Sequence, residues 1–291
     1  MNTVVQNPAP AATTPPATSL LPGVNVMLMG PAGTGKTHSI GTLVDSGVEV
    51  FAIFLESGQE SLLGYWTDRG LPIPPNLYWH QIAAPKNSFK DMLASSTRVN
   101  TMALDTLAKA IDPDRAKHDQ FLKLLTCMNN FKDDRTGKEF GAIDEFSPSR
   151  AVVLDGLTGL GRAAMSLVVG GKPVKSVSDW GIAQDQVEKL VRMLCDECRC
   201  HFVLIAHVER ETDQVLGGVK LMASTLGAKL SPKLMPMFSD IILTVREGTK
   251  FTWNTGSAMA DVKTRNLKIA EGLEPSFAPI LAKWKSRGGV V

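Results

Sequence analysis

Residues Gly30-Pro31-Ala32-Gly33-Thr34-Gly35-Lys36-Thr37 fit the spacing GxxxxGK[ST]. Glycines at those places let the backbone wrap until successive N–H groups converge on phosphate oxygens. A helix starting there adds the positive end of its dipole. Lys36 then brings a point charge to the β- and γ-phosphates of a nucleotide such as ATP, and the Thr37 hydroxyl is a ligand for Mg²⁺. His38 follows directly and is placed beside the nucleotide. The metal needs an acidic partner. Asp155 closes the apolar run AVVLD and supplies a carboxylate at a strand's C-terminal end, where sheets of this kind bind ligands. Glu56 closes VEVFAIFLE. On a strand beside the one that enters the glycine turn, it would reach the water that attacks the γ-phosphate and accept its proton. Glu60, four residues on, is its local competitor. His207 closes HFVLIAH, where a polar side chain would sense the γ-phosphate.

These residues need elements that bring them to one place. VNVMLM (24–29), the stretch 48–56, LYWHQIA (77–83), AVVLD (151–155) and HFVLIAH (201–207) read as buried strands. Helices are predicted over 36–45 and 61–70. A further helix carries Val187, Leu190, Val191, Leu194 and Cys198 on one face, and another carries Phe121, Leu124, Leu125 and Met128. Strands alternating with helices predict a doubly wound parallel sheet. Gly156-Leu157-Thr158-Gly159-Leu160-Gly161 has the spacing GxxGxG, not GxGxxG, and reads as a turn and helix start. Residues 85–150 exceed what one crossover needs and form an insertion, with 132–150 a mobile polar loop. IILTVREGTKFTWNT reads as a hairpin about Glu247-Gly248, with more β-like segments to about Trp284.

Composition narrows the partners. Lys and Arg number 31 against 29 Asp and Glu, so an anionic partner must be held by a local basic site and not by the global field. Four cysteines in 291 residues exclude a disulfide scaffold and suit a reducing compartment. Cys195, Cys198, Cys200 and His201 give CxxCxCH, which reads as core packing before it reads as a zinc site. Neither a secretory signal nor an apolar run near 20 residues is evident, so the expectation is a cytoplasmic protein with no membrane partner. Residues 1–22, rich in Pro, Ala and Thr and without charge, read as a disordered tail, leaving one domain over 23–291.

The order of parts resembles the RecA-like core ATPases. Residues 227–245 (GAKLSPKLMPMFSDIILTV) are similar to that family's glycine turn, helix and Asp-initiated strand. ADVKTRN (260–266) is similar to its basic pair that crosses a subunit interface. Within the family the chain looks most like phage-encoded ATPases of the Sak and AAA-domain nucleotide-binding type. The resemblance implies an α/β fold: a RecA-like P-loop NTPase core with a mainly parallel doubly wound sheet, C-terminal antiparallel strands and a helical insertion. It implies ATP and Mg²⁺ as ligands and a homo-oligomer, ring or filament. It also implies single-stranded DNA as partner, in annealing or strand exchange, with DNA-stimulated ATPase activity in a host cytoplasm. Lys263 and Arg265, alternating along a strand, would act on a neighbour's γ-phosphate. The DNA loops would be about 162–179 and 209–226, each with Gly-Gly and lysine (Lys172, Lys175, Lys220). His207 stands where that family has a glutamine. The competing function is a P-loop motor or switch with a protein partner, as in packaging, partition or signalling.

Overall fold

Each apolar strand alternates its side chains between two cores, one on either face of a single sheet. Met27, Met29, Phe51, Ile53, Val152, Leu154, Phe202 and Leu204 point to one face. Val26, Leu28, Val50, Ala52, Val153, Val203 and Ile205 point to the other. This period of two, with both sets apolar, is the signature of a sheet covered twice.

The computed structural model describes residues 21–86, 88–109, 115–172, 174–213 and 218–290. The tail predicted over 1–22 falls outside these residues except for Leu21 and Pro22, and the Pro22 carbonyl already accepts a bond from Trp284 Nε1. In chain order the elements begin with β1 (Asn25–Met29), α1 (Lys36–Ser39), α2 (Gly41–Asp45), β2 (Glu49–Phe54), α3 (Gln59–Thr67) and β3 (Leu77–Gln81). The insertion contributes α4 (Phe89–Thr101), α5 (Leu104–Lys109) and α6 (Gln120–Asn129). Then come β4 (Arg150–Asp155), α7 (Leu157–Val169), α8 (Val177–Arg192) and β5 (His201–Ala206). The chain ends with β6 (Val208–Asp213), β7 (Gly218–Ala223), α9 (Ser231–Leu234), β8 (Asp240–Glu247), β9 (Lys250–Asn254) and α10 (Ala278–Ser286). The main sheet runs β3-β2-β4-β5-β1-β8-β9, parallel except for the β8–β9 pair. β6 and β7 form a separate antiparallel hairpin. Helices α6, α7 and α8 cover one face, and α2, α3 and α10 the other. The α/β architecture, with C-terminal antiparallel strands and a helical insertion, is as the sequence predicts.

Five expectations are corrected. β2 lies beside β4, with β4 and β5 between it and β1, so Glu56 is not on the neighbour of the glycine-turn strand. The polar run 132–150 is not a free loop. Asp133 is fully buried and its carboxylate accepts the Trp79 N–H at 3.0 Å, while Asp134 accepts the Gln81 N–H at 2.8 Å. Arg135 donates to the Leu77 carbonyl at 2.7 Å, so the segment fastens itself along the outer edge of β3. Residues 162–179 are mostly helix, because Leu160, Ala163, Ala164 and Met165 make a buried helical face. Only 170–176 connect α7 to α8, and the second expected loop contains the β6–β7 hairpin. The β-like reading near Trp284 gives way to α10, where Phe277, Ile280, Leu281 and Trp284 bury one helical stripe. Finally, 260–266 makes two isolated bridges, Ala260 with Leu221 and Lys263 with Ile241, followed by a bend. The Asp240 carboxylate binds the Arg265 and Asn266 N–H groups and the Thr264 hydroxyl, so Lys263 and Arg265 do not alternate along a strand.

The four cysteines are free and buried, as core packing requires. Burial pushes the Cys127 thiol up to about 12. Among the described residues no cluster of three His, Cys, Asp or Glu could hold a metal, and no helix is long and apolar enough to cross a membrane.

Candidate active site

Sheet register decides which residues meet. Met29 pairs with Ala206, Asp155 with Ile205, and Phe54 with Asp155. The C-terminal ends of β1, β5, β4 and β2 therefore finish level, and Gly30, His207, Asp155 and Glu56 emerge along one edge. They open on a cleft of about 800 Å³ lined by Ala32 to Ser39, Glu56, Glu60, Asp155 and His207. Gly30 and Pro31 act from behind, through their carbonyl oxygens.

The glycine turn is shaped by contacts. Gly33 and Gly35 have φ of 73° and 80°, open to glycine at little cost. Gly30 has no room for a Cβ, which would strike the Thr244 hydroxyl and lie 2.7 Å from the Thr244 carbonyl. That buried threonine, from β8, shares a 2.6 Å bond with the Thr34 hydroxyl. Lys36 is buried and donates to the Gly30 and Pro31 carbonyls at 2.8 and 2.7 Å. Burial pulls its ammonium down to about 8, against the opposing pull of Asp155. No side chain caps α1, so the N–H groups of its first turn remain for a ligand.

Thr37 Oγ1 donates to Asp155 Oδ2 at 2.7 Å, across 118 residues of chain. Burial first, and Glu56 in addition, raises the Asp155 pKa above the ordinary carboxylate range, while the Thr37 bond, Lys36 and His207 oppose the rise. A hydroxyl and a carboxylate are the hard oxygen donors that Mg²⁺ accepts, with its other positions left to phosphate and water. The residues present thus fit Mg²⁺ with a nucleoside triphosphate, which Thr37 and Asp155 would hold.

Glu56 is held by neighbours that the sequence pattern does not reveal. A Cβ on Gly159 would lie 2.9 Å from Glu56 Cγ, and one on Gly58 would lie 2.8 Å from Asp155 Oδ2. Arg162 Nη1 is 3.2 Å from Glu56 Oε1. Gly58 occupies the N-cap of α3, so Glu56 does not cap that helix. Glu60 lies in the first turn of α3 and lines the cleft too. His38 packs against Tyr65 with ring centroids 5.1 Å apart. Phe251, from β9, covers Gly35, and the Arg246 guanidinium stands 5.2 Å from the Phe251 ring. Lys263 and Arg265 are absent from the lining of this cleft. Lys263 donates to the Pro236 carbonyl at 3.1 Å instead.

A family model described as an AAA domain matches residues 23–270. This chain belongs to the AAA-domain family. The AAA-domain protein thus has its glycine turn, the Thr37–Asp155 pair and Glu56 on one sheet edge. No curated protein matches it. Among solved structures it is similar to the RadB recombinase, at 14% identity over 87% of this chain and 86% of that one, with a TM-score of 0.40.

Proposed function

We propose that the chain is a RecA-like ATPase that uses ATP and Mg²⁺ and acts on single-stranded DNA in phage-type recombination, by annealing or strand exchange. The observation that carries the ATPase reading is the convergence of Lys36, the Thr37–Asp155 bond and Glu56 in one cleft. Bound Mg²⁺ supplies charge neutralisation at the phosphate oxygens. Lys36 steadies the transferred phosphoryl group, and Glu56 accepts the proton of the attacking water. The DNA reading draws on connectivity: β6 begins immediately after His207, and the Ser224 N–H, just beyond β7, donates to the His207 carbonyl at 2.7 Å. A displacement of the hairpin is therefore felt beside the nucleotide. With a net charge of +2, the strand would rest on local cations, among them Lys172 and Lys175 between α7 and α8. The site works between copies, in a ring or filament in the host cytoplasm, with Lys263 and Arg265 serving a neighbour.

The test is ATP turnover with and without poly-dT, beside Glu56→Gln. Stimulation by poly-dT, and a Glu56→Gln protein that binds ATP·Mg²⁺ but turns it over slowly, are the expected results. Full turnover by Glu56→Gln overturns the assigned base. Unchanged turnover with poly-dT favours the second reading, a switch acting on a protein partner. That reading has one observation of its own: α4 buries none of its residues, and Phe89, Met92, Leu93 and Val99 form an exposed apolar stripe.

A further inference from the structure

The first turns of α7 press on the candidate base. Gly159 leaves space for hydrogen only beside Glu56 Cγ and Leu55 Cβ, each 2.9 Å from where its Cβ would be. Two residues past Gly159, at Gly161, whose Cβ would lie 3.3 Å from Leu226, the helix faces the segment that follows the β6–β7 hairpin. Arg162 follows Gly161 directly. Its side chain is 73% exposed, yet its guanidinium reaches inward to Glu56 Oε1 at 3.2 Å. Among the described residues it is the ion-pair partner of that carboxylate.

A base must offer a free oxygen to water. The Arg162 guanidinium on Oε1 occupies a lone pair and withholds that oxygen from water. The pair is therefore a restraint on catalysis. It is also a weak one, because an exposed ion pair gains little against water and salt. A phosphate diester offers the same guanidinium two oxygens in a planar fork, the geometry arginine binds best. From Arg162 the helix continues seven residues to Val169, about 10 Å at 1.5 Å per residue. The connection carrying Lys172 and Lys175 follows. That distance matches about three steps of a strand at ~3.4 Å each.

We propose that Arg162 is a positioning residue that restrains Glu56, and that a single strand lying along α7 takes the guanidinium and frees the base. The inference rests on the ATPase and DNA readings above and adds to them the residue that joins the two sites.

The experiment compares wild type, Arg162→Ala and Arg162→Lys, with and without poly-dT, measuring kcat and KM for ATP. Arg162→Ala raises kcat without DNA by about 1.5- to 5-fold, the factor an exposed ion pair represents, with KM unchanged. Its stimulation ratio with poly-dT shrinks by the same factor, and Arg162→Lys restores part of both. An unchanged kcat without DNA, or a loss as deep as that of Glu56→Gln, overturns the restraint. If wild type ignores poly-dT while Arg162→Ala still raises kcat, the restraint stands and the strand as its release is overturned. A folding defect would lower the active fraction in every condition and could not raise kcat.

Discussion

Gly159→Ala adds one methyl group to a helix, and two effects compete. Alanine inside a helix gains up to about 1 kcal/mol over glycine. The new Cβ, however, would stand 2.9 Å from both Glu56 Cγ and Leu55 Cβ. Ordinary carbon contacts lie at about 3.5–4.0 Å, so the neighbours must retreat by about 0.6–1 Å. Leu55 is 4% exposed and packed in the core, so it yields little. Glu56 borders the cleft and yields more. Overpacking costs about 1–3 kcal/mol, which exceeds the helix gain. A catalytic group misplaced by 1 Å costs about 10²-fold in rate. The expected result is a folded protein, marginally less stable, that binds ATP·Mg²⁺ as wild type does and turns it over about 10- to 100-fold more slowly. Fluorescent-nucleotide binding, steady-state turnover and urea unfolding measure the three quantities. Wild-type turnover in a correctly folded Gly159→Ala protein would refute the assignment of Glu56 as base, because the carboxylate cannot keep its place.

Lys36→Ala is expected to lose nucleotide binding or turnover while keeping its secondary structure, and wild-type turnover in that variant would count against the phosphate cradle. Arg265→Ala is expected to lose turnover by about 10³-fold or more alone. Mixing it with Lys36→Ala should restore part of the activity, and no recovery where mixed assemblies are demonstrated would remove the role between copies. His201 predicts a pH effect on stability. It is fully buried, and its Nδ1 accepts the Val24 N–H at 2.9 Å. Burial holds its pKa at about 4 instead of the ordinary 6.5. The unfolded chain therefore binds a proton that the folded chain refuses between those values. Stability from this residue is complete above pH 6.5 and is lost as pH falls to 4, by about 3 kcal/mol for the 6.5-to-4 difference. Wild type minus His201→Asn in urea unfolding should show that loss, and a flat difference over pH 4–6.5 would disprove it.

What the sequence reveals here is local. The glycine turn, Asp155 and the strand cores are legible because each depends on neighbours within a few residues. Strand order is not, since nothing in VEVFAIFLE says that AVVLD and not VNVMLM will lie beside it. Thr244, Gly58, Gly159 and Arg162 escape for the same reason: each matters through a side chain or turn far off in the chain. Two misreadings were avoidable in principle. Phe277, Ile280, Leu281 and Trp284 carry a helical period, as do Leu160, Ala163 and Ala164, and the Gly-Gly pair beyond the latter draws attention from it. The 260–266 turn was not, because the Asp240 carboxylate that folds it lies about twenty residues upstream.

Both margins of the main sheet are spoken for within the chain. Asp133, Asp134 and Arg135 take the outward backbone groups of Leu77, Trp79 and Gln81 on β3. On the far margin Trp253 exchanges two bonds with Leu273, and the Thr255 N–H reaches Ala270. A foreign strand finds little unpaired backbone to template on at either side. If copies of this chain assemble as proposed, they would join through side chains, where affinity can be tuned by single charges and reversed by salt, and not by fusing their sheets into one.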